Sequence, residues 1–205
     1  MDLWAQLARA GRTAVEGGLV VGSGGNLSAR EPGSSEFIVT NRGEWLDRLD
    51  SPSFSTMSVH GDDPPQGTTP SVEWRLHQLT YRSRPDVNAI VHLHPQLVVL
   101  LDAAQVPIRQ ITTDHVVYLG EIGCVDYHQP GSVDLAADAA RVACDHDVMV
   151  LRRHGSSALG HDVDMALRRA LNLGEAAVMT YQSLALGCGP EIRFPAKDRN
   201  ELRGA

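Results

Sequence analysis

The sequence predicts an α/β fold, three layers deep, with a mixed or antiparallel sheet held between helices. Two observations carry this. Helical patterns stand at the start, in the middle and at the end of the chain, and the segments between them are short apolar strands joined by turn-rich links. A third concerns extent: 205 residues, 42% of them hydrophobic and without repeats or low-complexity tracts, suffice for one core. Residues 1–190 are therefore expected to form a single domain, and residues 191–205 a polar, mobile tail.

In chain order, Leu3, Trp4, Leu7, Ala8, Ala14 and Val15 recur at helical spacing, and Gly17-Gly18 supplies a left-handed stop. Asn26 to Ala29 and Glu36 to Thr40 are strands separated by Glu31-Pro32-Gly33-Ser34-Ser35, a link suited to a hairpin, and a further strand is expected over Ser55 to His60. After the loop Gly61 to Gly67, a helix over Ser71 to Arg82 breaks before Pro85. Asn88 to His94 is the densest strand signal, Gln96 to Ala103 a short helix, and Val116 to Tyr127 one or two strands. Val133 to Cys144 is a helix capped by Ser132, Val148 to Leu151 a buried strand, and Val163 to Leu186 a long helix capped by Asp162 and ended by Gly187.

Composition excludes several partners. A net charge of −7 with scattered Lys and Arg offers no basic surface to nucleic acid. No apolar run reaches the roughly eighteen residues that span a bilayer, and Met1-Asp2-Leu3-Trp4 is not a secretory leader, so a cytoplasmic protein without membrane partners is expected. Cys124, Cys144 and Cys188 are odd in number and lack C-x-x-C spacing, which argues for small buried residues and against disulfides or thiolate zinc.

Chemistry concentrates at Val91-His92-Leu93-His94-Pro95 and Arg153-His154-Gly155. Alternation along a strand puts His92 and His94 on one side with Leu93 turned to the core, and two imidazoles in an apolar strand cost desolvation energy unless something satisfies them. With His154 as a third donor, they suit zinc or its neighbours manganese, iron and cobalt, with a position left open for water or substrate. The other six histidines, His60, His77, His115, His128, His146 and His161, carry no motif and are expected to be exposed or hydrogen-bonded. Glu73, at a helix start, suits simple first-turn stabilisation alone, but beside a metal it is a candidate general acid/base. Gly25 and Asn26 in a glycine-rich turn, Thr40, Arg42 and Gly43, and Ser71 are candidates to hold an anionic part of the substrate.

Taken together, Gly25-Asn26-Leu27-Ser28, Thr40 to Gly43, Ser71-Val72-Glu73, His92-Leu93-His94-Pro95, Tyr127 to Ser132 and His154-Gly155 resemble the class II aldolase/adducin family from about residue 4 to residue 186. The resemblance implies a three-layer α/β/α sandwich around a mostly antiparallel sheet, and a homotetramer with active sites in clefts between subunits. It implies zinc on His92, His94 and His154, with Glu73 as catalytic acid/base, and retro-aldol cleavage of a small sugar-phosphate-like substrate through a metal-stabilised enediolate. Decarboxylation of a sugar acid is the nearest alternative; epimerase or dehydratase chemistry, a non-catalytic adducin-like interaction module and a ferrous oxygenase are further ones. Two features depart from the family's sugar-phosphate aldolases: Arg42 replaces a hydroxyl residue before Gly43, and Val72 replaces a second serine after Ser71. No tyrosine follows Tyr181, so a proton-donating tail tyrosine is not expected.

Overall fold

A computed structural model of the chain describes residues 2–203. Seven strands, β1 (Gly25–Ala29), β2 (Glu36–Thr40), β3 (Phe54–Ser58), β4 (Ala89–Leu93), β5 (Ile122–Val125), β6 (Val148–Leu151) and β7 (Gly155–Gly160), form one sheet in the order β3-β2-β1-β4-β7-β6-β5. Every pair is antiparallel except β5 with β6, so the sheet is mixed and mostly antiparallel. The helices are α1 (Leu3–Glu16), α2 (Trp74–Ser83), α3 (Gln96–Ala103), α4 (Thr113–Leu119), α5 (Val133–Ala143), α6 (Val163–Ala185) and α7 (Ala196–Arg203).

The period-two alternation of β4 divides the core. Ala89, Val91 and Leu93 pack with α1 and α6 on one face, whereas Ile90 packs on the other with Leu76 and Tyr81 of α2 and Leu135 and Ala139 of α5. His92, two residues beyond Ile90, shares the α2 side. This is the step that brings an imidazole from the sheet to the start of α2. None of the described helices is long and apolar enough to cross a membrane.

Four local expectations differ from the structure. Val116 to Tyr127 is a helix followed by a strand, α4 then β5. The β-branched pair Val116-Val117 looks strand-like, but Thr112 caps the helix by accepting from the His115 N–H, and His115, Val116 and Leu119 bury one helical face. Strand β7 goes unpredicted because Gly155-Ser156-Ser157-Ala158-Leu159-Gly160 is small and weakly β-prone. It is nevertheless central and buried throughout, and its small residues admit α6: a Cβ on Gly160 would lie 2.4 Å from the Ala166 nitrogen. Cys124 and Cys144 are exposed and Cys188 is half-buried rather than buried, the first because it occupies an outward position of the edge strand β5. The polar tail holds α7, preceded by a hydrogen bond from the Phe194 N–H to the Gln110 carbonyl; residues 204 and 205 lie outside the described residues.

Candidate metal centre and active site

His92 is the penultimate residue of the buried strand β4, His94 follows just past its last residue, and His154 stands in the tight turn between β6 and β7, the strand that pairs with β4. Pairing of β4 with β7 is therefore what gathers the three. Their ring centroids lie 5.0, 5.0 and 4.8 Å apart, and the Nε2 atoms of His92 and His94 are 3.0 Å from each other. Glu73 joins them from the N-cap position of α2, with Oε2 3.1 Å from His92 Nε2 and Oε1 3.3 Å from His154 Nε2. Its carboxylate makes no capping bond, so it is turned into the site rather than spent on the helix end.

The donor set fits a first-row divalent ion. One ligand atom from each of Glu73, His92, His94 and His154 lies within 4.8 Å of the others, and three imidazoles with one carboxylate are borderline donors of the kind zinc takes. Burial, followed by the neighbouring His92, holds His94 and His154 at about 4, so both rings are neutral donors at physiological pH. Burial pushes the Glu73 carboxyl up, but His92, His154 and the Asn26 amide together outweigh it and leave the group well below the ordinary carboxylate range. Glu73 is an anion.

Metal-binding histidines commonly orient their rings through a hydrogen bond at the second nitrogen, yet Nδ1 of His92 and of His154 is buried without a partner among the described residues. The backbone around the cluster is closely packed. A Cβ on Gly155 would lie 2.7 Å from His94 Cδ2 and 2.3 Å from the Leu93 carbonyl oxygen. Gly25, at φ +113°, faces the His92 carbonyl oxygen so closely that a Cβ would come to 2.5 Å.

The turn that delivers His154 is clamped from α3. Asp102 Oδ2 accepts the Arg153 N–H at 2.7 Å, and Arg153 has a φ of +55°, a left-handed conformation that a non-glycine residue adopts at some cost. Asp102→Ala should release this turn: zinc affinity is expected to fall about tenfold, in the range typical of outer-shell changes, with a stability loss of about 1–2 kcal/mol. Chelator competition and thermal melts check both, and wild-type zinc affinity in the variant would show that the turn holds His154 unaided.

The anion-binding candidates adjoin the centre to different degrees. Ser71 donates its N–H to the Thr40 carbonyl and Arg42 donates its own to the Thr69 carbonyl, which stitches the two motifs together two residues before Glu73. Thr40 Oγ1 is committed to the Leu27 N–H and Ser71 Oγ to the Glu73 N–H. Gly43 takes a left-handed φ of +78° in an exposed turn. The exposed Arg42 guanidinium makes no hydrogen bond or ion pair among the described residues. Asn26 is buried and donates from Nδ2 to Glu73 Oε2 at 2.9 Å. His77, expected only as an exposed or hydrogen-bonded histidine, is fully buried and hydrogen-bonded to Ser28 and Asn26, one helical turn after Glu73.

Three imidazoles and one carboxylate thus meet beside a mixed sheet between helices, a donor set able to hold a divalent ion that stabilises charge beside a carbonyl. Residues 5–181 match the model of the class II aldolase and adducin N-terminal domain, and the chain belongs to that family. It is 35% identical to an L-fuculose phosphate aldolase of Methanocaldococcus jannaschii over 165 residues, 80% of this chain and 88% of that one. It is 30% identical to a 3-oxo-tetronate 4-phosphate decarboxylase of Escherichia coli over 204 residues, covering 97% and 93% of the two chains. The solved structure of the YgbL protein of Escherichia coli superposes with a TM-score of 0.87 at 29% identity over 98% of this chain and 97% of that one.

Proposed function

We propose that this chain is a divalent-metal-dependent lyase that cleaves a carbon–carbon bond by retro-aldol reaction in a small phosphorylated hydroxy-carbonyl substrate. The observation that carries the reading is the placement of Glu73 against the Nε2 atoms of His92 and His154, with His94 in the same cluster. A bound ion, zinc by preference with manganese, iron or cobalt as alternatives, supplies Lewis-acid stabilisation of the oxyanion that forms when the bond breaks. His92, His94 and His154 hold it. Glu73 moves the proton at the carbon where negative charge develops. In its present position the carboxylate is a weak base, because His92 and His154 favour its anion; substrate that separates it from them raises its basicity.

Decarboxylation is the second reading, favoured by the relative that aligns over 97% of the chain. Loss of carbon dioxide from a 3-oxo acid leaves the same kind of carbanion beside a carbonyl, so one centre suits both reactions. Incubation of the zinc-loaded protein with L-fuculose 1-phosphate and with 3-oxo-tetronate 4-phosphate separates them: aldehyde release from the first supports the aldolase, carbon dioxide from the second the decarboxylase. Neither product from either would overturn the reading.

Arg42, with its free guanidinium, is our candidate for the anionic end of the substrate, helped by Gly25, Asn26, Thr40, Gly43 and Ser71. Arg42→Ala is expected to raise KM about tenfold or more with kcat nearly unchanged, since only uniform binding is removed. An unaltered KM would reduce Arg42 to a turn residue. A homotetramer with the cleft completed by a neighbouring subunit fits the exposed Val72, just before α2 and packed against Gly131, and the exposed Tyr127 and Val133 that flank Gly131 in the chain. A monomeric mass in solution would count against it. Cytoplasmic residence is consistent with three free cysteines, two of them exposed.

A further inference from the structure

Behind Glu73 runs a line of buried polar groups that the lyase chemistry does not use. Tyr81, Ser28, His77, Asn26 and Glu73 are each at most 4% exposed, and each touches the next. Donor and acceptor roles along it are forced. A carboxylate only accepts, so Asn26 presents its NH2 to Glu73 Oε2 and its Oδ1 to His77. Oδ1 also only accepts, so His77 carries its proton on Nε2. Burial and the neighbouring His92 hold this ring at about 3, hence neutral, and its Nδ1 is left as an acceptor for the Ser28 hydroxyl at 2.7 Å. Ser28 has then used its only proton, and the Tyr81 hydroxyl donates to it at 2.7 Å. Arg30, stacked on the Tyr81 ring at 4.6 Å and bonded to the Val87, Arg84 and Pro85 carbonyls, closes the far end.

We propose that His77 is a positioning residue for Glu73: its Nε2–H locks the Asn26 amide in the one orientation that donates to the carboxylate, and so fixes where Glu73 stands against the histidine centre. An Asn side chain free to rotate would present Oδ1 to Glu73 in half of its settings, and two acceptors face to face repel. His77 removes that alternative. Its kinetic consequence rests on the lyase reading above; the lock itself does not.

The test pairs a kinetic with a spectroscopic readout. In nitrogen-labelled protein, metal-free and zinc-loaded, His77 should appear as the Nε2–H tautomer, and the Asn26 side-chain amide should exchange slowly with solvent. His77→Leu should abolish that protection and lower kcat about ten- to hundredfold, the size usual for residues behind a metal centre, while KM and zinc stoichiometry stay within about twofold. His77→Gln retains a donor toward Asn26 and should recover most of both. Should the leucine variant fail to fold, Ser28→Ala removes the donor to Nδ1 and should admit the other tautomer, with loss of Asn26 protection. An Nδ1–H tautomer in the wild type, undiminished Asn26 protection in His77→Leu, or equal loss of kcat and zinc in the leucine and glutamine variants would each overturn the proposal. A wild type inactive on both phosphates, with the tautomer and exchange pattern as expected, would sustain the lock and overturn the lyase reading alone.

Discussion

His94→Ala is expected to abolish both metal binding and turnover while leaving a folded protein. Of the three histidines, His92 is fully buried in the sheet and its truncation would leave a cavity, whereas His94 lies just beyond β4 and is half-buried, so its loss takes away a ligand more than a packing element. Two imidazoles and a carboxylate remain. Zinc affinity should drop by at least about a hundredfold, beyond the ten- to hundredfold that changes behind the ligands cost. Linkage gives a readout that needs no substrate. A metal that binds only the folded state stabilises it by about 2.7 kcal/mol at a hundred times its dissociation constant, which in a chain of this size raises Tm by about 5–10 °C. Wild type should show that rise on zinc addition and lose it on chelation, and His94→Ala should melt at the chelated wild-type temperature in either condition. A variant that still takes up one ion per chain and melts with it would remove His94 from the ligand set.

Much of this centre was legible in the sequence because its signals are local. His-x-His in an apolar strand puts two imidazoles on one side by strand alternation alone, and the glycine after His154 marks a place where a side chain would strike His94. The hairpin-linked strands pointed to a mixed or antiparallel sheet, and the family resemblance sharpened this to a mostly antiparallel one. What escaped was set by partners distant in the chain. Strand β7 is made of small residues because α6 and the histidine centre press against it, and nothing within six residues reports that pressure. In α4 the Thr112 cap and the ring of His115, which accepts from the Ile111 N–H, decide for helix against two β-branched valines. His77 looked like any helical histidine; its meaning lies in Ser28 and Asn26, brought beside it by strand β1 across 49 and 51 residues of sequence.

Glu73→Gln should separate proton transfer from metal binding. The substitution keeps the shape of the side chain and an oxygen to accept from Asn26 Nδ2, so the start of α2 and the histidine cluster are preserved. What disappears is the negative charge and with it the ability to take a proton. Zinc content should stay near one ion per chain, while kcat falls about a hundred- to ten-thousandfold, the usual contribution of a positioned acid/base, with KM little altered. Glu73→Asp refines the claim. It retains the charge but withdraws the carboxylate by one methylene from Asn26 and from the two histidines it now touches at 3.1 and 3.3 Å. Misplacement by about 1 Å can cost about a hundredfold, so the aspartate enzyme should also be impaired. If the role were only to balance the charge of the ion, Asp would serve nearly as well as Glu and Gln would lose zinc. If Glu73 is the base, Gln keeps the zinc and loses the reaction, and Asp keeps the zinc and runs slowly because its carboxylate no longer reaches.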